Sequence, residues 1–217
     1  MSDPSAAAVD ELLDDVLLGD DPALEAARAD SMAAGLPPIE VSPQAGHFLG
    51  LLVRLSGARR VLEIGTLGGY STICLARAVG PDGSVVTLEF EPRHAEVAAA
   101  NLRRADVADR VEIIVGAALD TLPGLTAGFD FVFIDADKEN NSAYVQWAID
   151  LGHPGTVIVV DNVVRNGRVL APAADDRQAI AVREMLEMVG RHPRLDTAAM
   201  QTVGAKGWDG FALALVN

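Results

Sequence analysis

Short apolar segments alternate with amphipathic helical segments through the middle of the chain, and this alternation limits the possible folds more than any other feature. The pattern predicts strands at 59–65, 84–89, 111–115, 129–134 and 155–160, and helices at 43–56, 93–105 and 139–151. Short β-branched strands separated by helices are typical of parallel βαβ units, whose helices cover both faces of the sheet. We therefore predict an α/β fold with a mainly parallel sheet.

The two ends of the chain differ from this middle region. Acidic residues occur among Leu, Val and Ala at helical spacing over Val9–Val16 and Pro22–Ala34, and "GLPP" then ends the second helix. After a helix at 176–189, "RLDTAAMQTVG" and "WDGFALALV" flank a glycine-containing turn and predict a hairpin with an antiparallel strand. We expect one domain over 1–217, with an N-terminal helical segment at 1–40 and a core at 41–217.

Composition excludes several classes of protein. The chain has 217 residues, and its single cysteine, Cys74, excludes both an intrachain disulfide and a Cys/His zinc cluster, which fits a reducing cytosol. The N-terminus "MSDPSAAAVDELLDDV" is acidic where a signal peptide is basic, and no apolar run reaches the ~18 residues of a membrane span. A net charge of -14 repels phosphate backbones. We expect a cytoplasmic protein that binds neither nucleic acid nor membrane.

Ligands of such sheets bind outside the carboxyl ends of the parallel strands, where Gly65, Glu89, Asp135 and Asp161 are predicted to lie. The glycines of "LEIGTLGGYST" (62–72) favour a ligand-binding turn, although a tight turn without a ligand remains an alternative. An acid at position 89 can accept hydrogen bonds from ribose hydroxyls. Glu91 is the competing acid, but its position before Pro92 is typical of a helix cap. An adenosine-containing ligand is favoured.

The residues around the glycines favour S-adenosylmethionine (SAM) over a dinucleotide. The spacing of Gly65, Gly68 and Gly69 does not match G-x-G-x-x-G, and no Lys or Arg lies within 61–76 to bind a phosphate. Glu63 would be unfavourable beside a pyrophosphate and favourable beside the amino group of a methionine.

Two apolar strands end in acids, in "FDFVFIDADK" (129–138) and "TVIVVDN" (156–162). If these strands are neighbours, about 4.8 Å apart, Asp135 and Asp161 share a small volume, which favours a retained proton or a bound cation. With Asn162 they offer the oxygen ligands that suit Mg²⁺. The alternative is that each aspartate only caps the turn that follows it.

The segments "LEIGTLGGYS", "LEFEP", "VGAAL", "FIDADK" and "DNVVRNGRV" resemble, in order and spacing, the cation-dependent small-molecule O-methyltransferases of the caffeoyl-CoA and catechol O-methyltransferase family. The resemblance covers roughly 40–217. It implies a Rossmann-like class I methyltransferase fold with a seven-stranded sheet, a homodimer, and methyl transfer from SAM to one hydroxyl of a vicinal aromatic diol. It also implies a divalent metal: Mg²⁺, with Mn²⁺ or Ca²⁺ as alternatives.

The resemblance also implies roles for individual residues. The metal ligands fall on Asp135, Asp161 and Asn162, and the catalytic residues on Lys138 and Asp135. The substrate residues fall on Lys138, Arg165 and Asn166. The cofactor-binding residues fall on Val41, Glu63, Gly65, Thr66, Gly69, Ser71, Glu89, Ala118, Asp135 and Asp137. For three positions a simpler interpretation exists: Ser71 as a helix cap, Lys138 as a solvated surface lysine, and Asn166 as part of a turn.

The resemblance implies that the metal acidifies one diol hydroxyl and that Lys138 accepts its proton. His47, His94, His153 and His192 have no role in this chemistry and are interpreted as surface or packing residues.

Two departures from the family pattern concern the acceptor pocket. Asn141 stands where a tyrosine is common, and Arg165 stands where plant members have tryptophan, and both are expected around that pocket. The acidic N-terminus offers few partners for the phosphates of CoA, although Arg165 and Arg168 could supply some, and we therefore favour a small free phenolic substrate over a CoA thioester. Two other functions remain open. A nicotinamide-dependent oxidoreductase would use the glycine loop and Glu89 but gives the paired acids no role, and a non-catalytic SAM-binding protein would methylate no diol.

Overall fold

A computed structural model describes residues 5–217. The first four residues of the predicted N-terminal segment therefore lie outside the described residues. The strands are β1 (Arg60–Ile64), β2 (Ser84–Glu89), β3 (Val111–Val115), β4 (Phe131–Ile134), β5 (Val157–Asp161), β6 (Leu195–Gly204) and β7 (Gly207–Val216). The α-helices are α1 (Ala6–Leu17), α2 (Pro22–Ala33), α3 (Pro43–Ser56), α4 (Tyr70–Val79), α5 (Pro92–Arg104), α6 (Ala118–Thr121), α7 (Asn141–Leu151) and α8 (Arg177–Arg191).

The seven strands form one sheet in the order β3-β2-β1-β4-β5-β7-β6. The first five strands are parallel, and β7 runs antiparallel to both β5 and β6. The predicted mainly parallel sheet with an antiparallel C-terminal hairpin is thus confirmed. Strand β1 pairs with β2 on one side and with β4 on the other, so the order in which strands are added to the sheet reverses at β1. A crevice opens at the carboxyl end of β1 because of this reversal.

The core lies on both faces of the sheet, as expected for parallel strands covered by helices. Successive residues of β4 point to opposite faces: Phe131 and Phe133 join the cluster under α3 and α4, while Val132 and Ile134 join the cluster that includes α7 and α8 residues. All four side chains are buried. This burial explains why the strands appear in the sequence as continuous apolar runs.

From β1 to β5 the bounds of the predicted elements agree with the structure to within two residues, and two of the starts differ for identifiable reasons. The predicted helix at 139–151 begins with a 3₁₀ turn, Lys138–Asn140, before α7. The predicted strand at 129–134 begins later, at Phe131, because the Asp130 side chain accepts the N–H groups of Arg59 and Arg60 at 2.8 Å each. Helix α6 was not predicted, since four residues are too few to show helical periodicity.

The N-terminal helices pack beside the loop that follows β1. The Asn101 amide on α5 donates to the Gly68 oxygen at 2.9 Å and to the Ala27 oxygen on α2 at 3.4 Å, which joins the three segments. Within 5–217, the structure contains no helix with the length and apolar character needed to cross a membrane.

Candidate active site

The carboxyl ends of the parallel strands border a cavity of about 820 Å³. Its wall combines the segment before α3, the loops after β1, β2, β3, β4 and β5, and the first turn of α8. Its polar side chains belong to Glu40, Thr66, Tyr70, Ser71, Glu89, His94, Asp135, Asp137, Lys138, Asn140, Tyr144, Asn162, Arg165 and Gln178. A separate cavity of about 630 Å³ lies among α1, α2, α3 and α4, and no strand-end acid lines it.

Two glycines allow the loop after β1 to pack closely. Gly65 has φ of 101°, and a Cβ there would lie 2.1 Å from the backbone oxygen of Asp135, so only glycine fits against the end of β4. Gly69, with φ of 84°, is the N-cap of α4, and a Cβ there would lie 3.3 Å from the Ala98 Cβ on α5. Gly69 does not line the cavity, so the need for glycine comes from its left-handed backbone conformation and from the close packing of α5.

Glu89 holds this loop at the cavity wall. Its Oε2 accepts the N–H groups of Thr66 at 3.1 Å and Leu67 at 2.8 Å, and its Oε1 accepts the Glu91 N–H at 3.0 Å. His94 Nδ1 lies 3.2 Å from Oε1. A carboxylate offers about four acceptor positions, and all are engaged here. A ligand hydroxyl would therefore bind Glu89 by displacing a present partner, and His94, with the longest contact, is the one we expect to be displaced.

His94 was interpreted from sequence as a surface or packing residue, and that interpretation is wrong because its side chain lines the cavity. Its position five residues after Glu89, in the first turn of α5, was the only available signal. Glu91 is the N-cap of α5, as expected, although its side chain makes no capping hydrogen bond.

Glu63 lies behind the cavity wall and is fully buried. It accepts hydrogen bonds from Ser71 Oγ at 2.6 Å, Thr72 Oγ1 at 2.5 Å and Thr87 Oγ1 at 2.7 Å. Burial raises the pKa of Glu63 to about 7, the three hydroxyl donors oppose this rise, and the charge of Asp135 adds to it. Glu63 does not line the cavity, whereas Ser71 does. The interpretation of Ser71 as a helix cap is wrong, because Gly69 is the N-cap.

Asp135 and Asp161 stand at the ends of adjacent strands. Ile134 of β4 pairs with Val160 of β5, so the next residue of each strand is an aspartate at the same level of the sheet. The shared carboxylate site required β4 and β5 to be neighbours, and the structure shows that they are.

The charges in this pair are only partly balanced. Lys138, whose exposed fraction is 6%, donates from Nζ to Asp135 Oδ1 at 2.7 Å, so it is not a solvated surface lysine. Burial raises the pKa of Asp161 and the nearby charge of Asp135 raises it further, while Lys138 and the Asn162 N–H lower it. One ammonium lies beside two carboxyl groups, so a second negative charge at Asp161 is unfavourable without a proton or a cation.

The residues present fit a hard divalent cation. Within 5–217, no three His, Cys, Asp or Glu side chains come together in a way that could hold a metal ion. A cation at the paired acids would therefore also need the Asn162 amide oxygen. Asn162 lines the cavity with φ of 61°, and its N–H donates to Asp161 Oδ1 at 2.8 Å. Carboxylate and amide oxygens are suitable ligands for Mg²⁺, Mn²⁺ or Ca²⁺.

Asp137 lies in the cavity wall between two donors. Tyr144 Oη donates to Asp137 Oδ1 and Asn140 Nδ2 donates to Oδ2, each at 2.5 Å. Burial and the bond to Asp137 raise the pKa of the Tyr144 phenol, so it remains a donor. Sequence reasoning missed Tyr144. The expectation that Asn141 lies around the acceptor pocket is wrong, because this buried side chain does not line the cavity.

The loop after β5 has an uncommon backbone conformation. Asn162, Arg165 and Asn166 have φ of 61°, 55° and 54°, in the left-handed region that non-glycine residues rarely occupy. Asp209 of β7 holds this conformation, since its Oδ1 accepts the N–H groups of Val164 and Arg165 at 2.9 and 3.0 Å. Sequence reasoning missed Asp209, which only the pairing of β7 with β5 brings to this loop.

Arg165 and Asn166 point to different surroundings. Arg165 lines the cavity, and its guanidinium donates to Gln178 on α8. Asn166 is exposed and does not line the cavity, and its N–H donates to the Trp208 oxygen at 3.0 Å. The contacts of Asn166 are those of a turn.

The cavity thus brings together most, but not all, of the predicted site residues. Those that line it are Val41, Gly65, Thr66, Ser71, Glu89, Ala118, Asp135, Asp137, Lys138, Asn162 and Arg165. Those that do not are Glu63, Gly69, Asp161 and Asn166.

Comparisons with known proteins show which family the chain resembles. An O-methyltransferase family model matches residues 16–215. A catechol O-methyltransferase from Mycobacterium tuberculosis is 65% identical over 99% of this chain and 97% of its own length. Two crystal structures each cover 98% of this chain. The O-methyltransferase from Bacillus cereus, in complex with SAH, has 49% identity, 98% coverage of its own chain and a TM-score of 0.95. The O-methyltransferase TomG from Streptomyces achromogenes, in complex with SAM, has 47% identity, 97% coverage and a TM-score of 0.94.

The raised pKa of Glu63 predicts a specific pH dependence of stability. Between its ordinary pKa of 4.5 and about 7, the folded protein keeps a proton that the unfolded chain releases. Each pH unit of increase in this window should therefore lower the free energy of unfolding by up to ~1.4 kcal/mol. Glu63→Gln has no carboxyl proton to titrate. Its free energy of unfolding, measured in urea, should therefore increase relative to that of wild type from pH 5 to pH 8.

The exposed Glu112 on β3 offers a matched control. Glu112→Gln should follow the wild-type pH dependence throughout. If Glu63→Gln also follows it, the pKa of Glu63 is not raised in the folded protein and this account of the buried carboxyl is wrong.

Proposed function

Because the chain belongs to this O-methyltransferase family, we propose that it transfers the methyl group of SAM to one hydroxyl of a vicinal aromatic diol, with a divalent cation at the paired acids. The observation that carries the proposal is the position of Asp135 and Asp161 on adjacent strands beside the cavity. Glu89 stands on the other side of β1, at the end of β2. A cofactor lying over the end of β1 could thus donate hydrogen bonds from its ribose to Glu89. Its methyl group would then lie on the side of the paired acids.

Two observations support SAM as the methyl donor. The relatives from B. cereus and S. achromogenes were crystallised with SAH, the demethylated product of SAM, and with SAM itself. In this chain, Glu89 is 6% exposed and lines the cavity, and a buried carboxylate suits two neighbouring ribose hydroxyls. Ser71, 8% exposed, would bring a hydroxyl group to the methionine part of the cofactor.

The proposed metal ligands are Asp135, Asp161 and Asn162. A divalent cation at these residues would lower the pKa of a coordinated hydroxyl, as it does for bound water. A vicinal diol can offer two oxygens to one site, and this chemistry favours such an acceptor over one with a single hydroxyl.

Lys138 is the proposed proton acceptor. Its Nζ is buried at the cavity wall, 2.7 Å from Asp135 Oδ1, where it can reach a hydroxyl bound beside that aspartate. The deprotonated oxygen would then be able to attack the methyl carbon of bound SAM, and the bonding pair of the departing methyl would stay on sulfur. The chain's main contribution to the rate would be to hold oxygen, carbon and sulfur in line.

A panel of diols tests the proposed reaction. Labelled SAM should methylate catechol, whose hydroxyls are adjacent, at least tenfold faster than resorcinol, whose hydroxyls are not, because only adjacent oxygens share one site. Equal rates on the two diols would contradict the chelated acceptor. SAM binding without methylation of any diol would support a non-catalytic SAM-binding protein instead.

Glu89→Ala should weaken SAM binding. Losing a charged hydrogen-bond acceptor costs ~1.5–3 kcal/mol, which corresponds to roughly 10- to 150-fold in the dissociation constant measured by calorimetry. Glu91→Ala is the matched control, since this exposed side chain makes no capping hydrogen bond. A loss of affinity in Glu91→Ala and not in Glu89→Ala would reverse the choice between the two acids.

Lys138→Met should lower kcat on catechol by about 10²–10⁴, the usual contribution of a general base. The loss should shrink for a nitrocatechol, whose hydroxyl ionises without help. The chain's only other lysine, Lys206, lies in the hairpin turn with its side chain 45% exposed, and Lys206→Met serves as control. An equal loss on both acceptors, measured with chemistry rate-limiting, would remove Lys138 from the proton transfer.

A further inference from the structure

The basic side chains in the cavity wall differ in whether an acid neutralises them. Lys138 is paired with Asp135 at 2.7 Å, and His94 lies 3.2 Å from Glu89. Arg165 is the remaining basic residue in the lining, and within 5–217 no carboxylate oxygen lies within 4.0 Å of its guanidinium. The cavity therefore contains one cation that the protein leaves unneutralised.

The contacts of Arg165 leave donors available. Its Nη2 donates to the neutral Gln178 amide, while its Nε is buried and has no hydrogen-bond partner among the described residues. Asp176, the acid that caps α8 nearby, is instead bound by Arg168 at 2.5 Å. Because the buried Nε has no accessible surface, the donor open to an anionic ligand is Nη1, which makes no hydrogen bond to the residues of 5–217.

The backbone holds Arg165 at this position. Its φ of 55° is uncommon for a long side chain, and the Asp209 carboxylate keeps it by accepting the Arg165 N–H at 3.0 Å. The strained conformation and the unpaired guanidinium occur at the same residue. This is expected where a side chain is fixed in advance to bind a ligand.

On the basis of the proposed function, we propose that Arg165 determines acceptor specificity by binding a carboxylate on a side chain of the catechol ring. Arginine offers parallel N–H donors that match the two oxygens of a carboxylate. The partner of Arg165 would thus be the acceptor's own anionic group, at the end of the molecule away from the reacting hydroxyl. The phosphates of a CoA thioester are a second source of negative charge, and a simple structural link to Gln178 is the competing role.

Two acceptors with the same ring electronics test this proposal: 3,4-dihydroxyphenylacetate and its neutral amide, 3,4-dihydroxyphenylacetamide. The wild-type kcat/KM should be about tenfold or more higher for the acid, the gain typical of one charge-assisted hydrogen bond. Arg165→Gln should bring the ratio close to one. Binding of the acid to the SAH complex, measured by calorimetry, should weaken in the same variant by a similar factor.

Two further variants distinguish specificity from a structural role. Gln178→Glu keeps Arg165 and gives it an internal carboxylate partner, so this variant should also lose the preference for the acid. Arg177→Gln removes an equal charge from an exposed position next to Gln178 and should keep the wild-type ratio. Equal losses on acid and amide in Arg165→Gln would assign Arg165 a structural role and overturn the proposal.

Three further outcomes distinguish failure of the carboxylate proposal from failure of the proposed reaction. A wild-type preference for 3,4-dihydroxycinnamoyl-CoA over the free acid, lost in Arg165→Gln, would assign the residue to phosphate and overturn the carboxylate proposal. Methylation of acid and amide at equal rates by wild type would overturn it while leaving the proposed reaction intact. Failure to methylate any diol would instead contradict the proposed reaction itself.

Discussion

The arrangement of the cavity depends on one electrostatic constraint, namely two carboxylates at the same level of adjacent parallel strands. The register of Ile134 with Val160 places Asp135 and Asp161 side by side, and Lys138 supplies a single ammonium for both. Like charges this close are tolerated only if a proton or a cation accompanies them. Repulsion between the two carboxylates would destabilise the folded protein if no cation were bound. The same concentration of negative charge makes the site suitable for a divalent ion.

The rest of the wall follows from the position of β1 in the sheet. Its loop turns at Gly65 against the end of β4, and Glu89 at the end of β2 accepts the N–H groups of Thr66 and Leu67. One loop is thus fixed from both sides, between Glu89 and the paired carboxylates. Glu63 lies behind this loop and accepts a hydrogen bond from Ser71, in the first turn of α4. A single strand, β1, therefore separates the proposed ribose-binding acid from the proposed cation site.

Sequence alone predicted the features that depend on periodicity and strand ends. The parallel strands follow from short apolar runs between helical segments, and the C-terminal hairpin follows from two segments that flank a glycine-containing turn. The sequence placed Asp135 and Asp161 at strand ends, but their adjacency depended on β4 and β5 being neighbours, which only the pairing in the structure establishes. Contacts across the fold could not be predicted in this way. Asp209 reaches the loop after β5 only because β7 pairs antiparallel with β5, and Tyr144 reaches Asp137 only because a 3₁₀ turn precedes α7. The burial of Glu63 and the packing requirement for Gly69 likewise depend on neighbours far away in the chain.

Binding of a divalent ion tests the central claim most directly. In a Mn²⁺ titration followed by electron paramagnetic resonance, wild type should bind one ion per chain, and excess EDTA should abolish methyl transfer. Asp161→Asn should weaken ion binding by more than about tenfold, since a ligand contributes at least as much as the residues that orient it. SAM binding should persist, because Asp161 does not line the cavity. Full activity in excess EDTA, or equal Mn²⁺ affinity in the two proteins, would contradict a cation held by the paired acids.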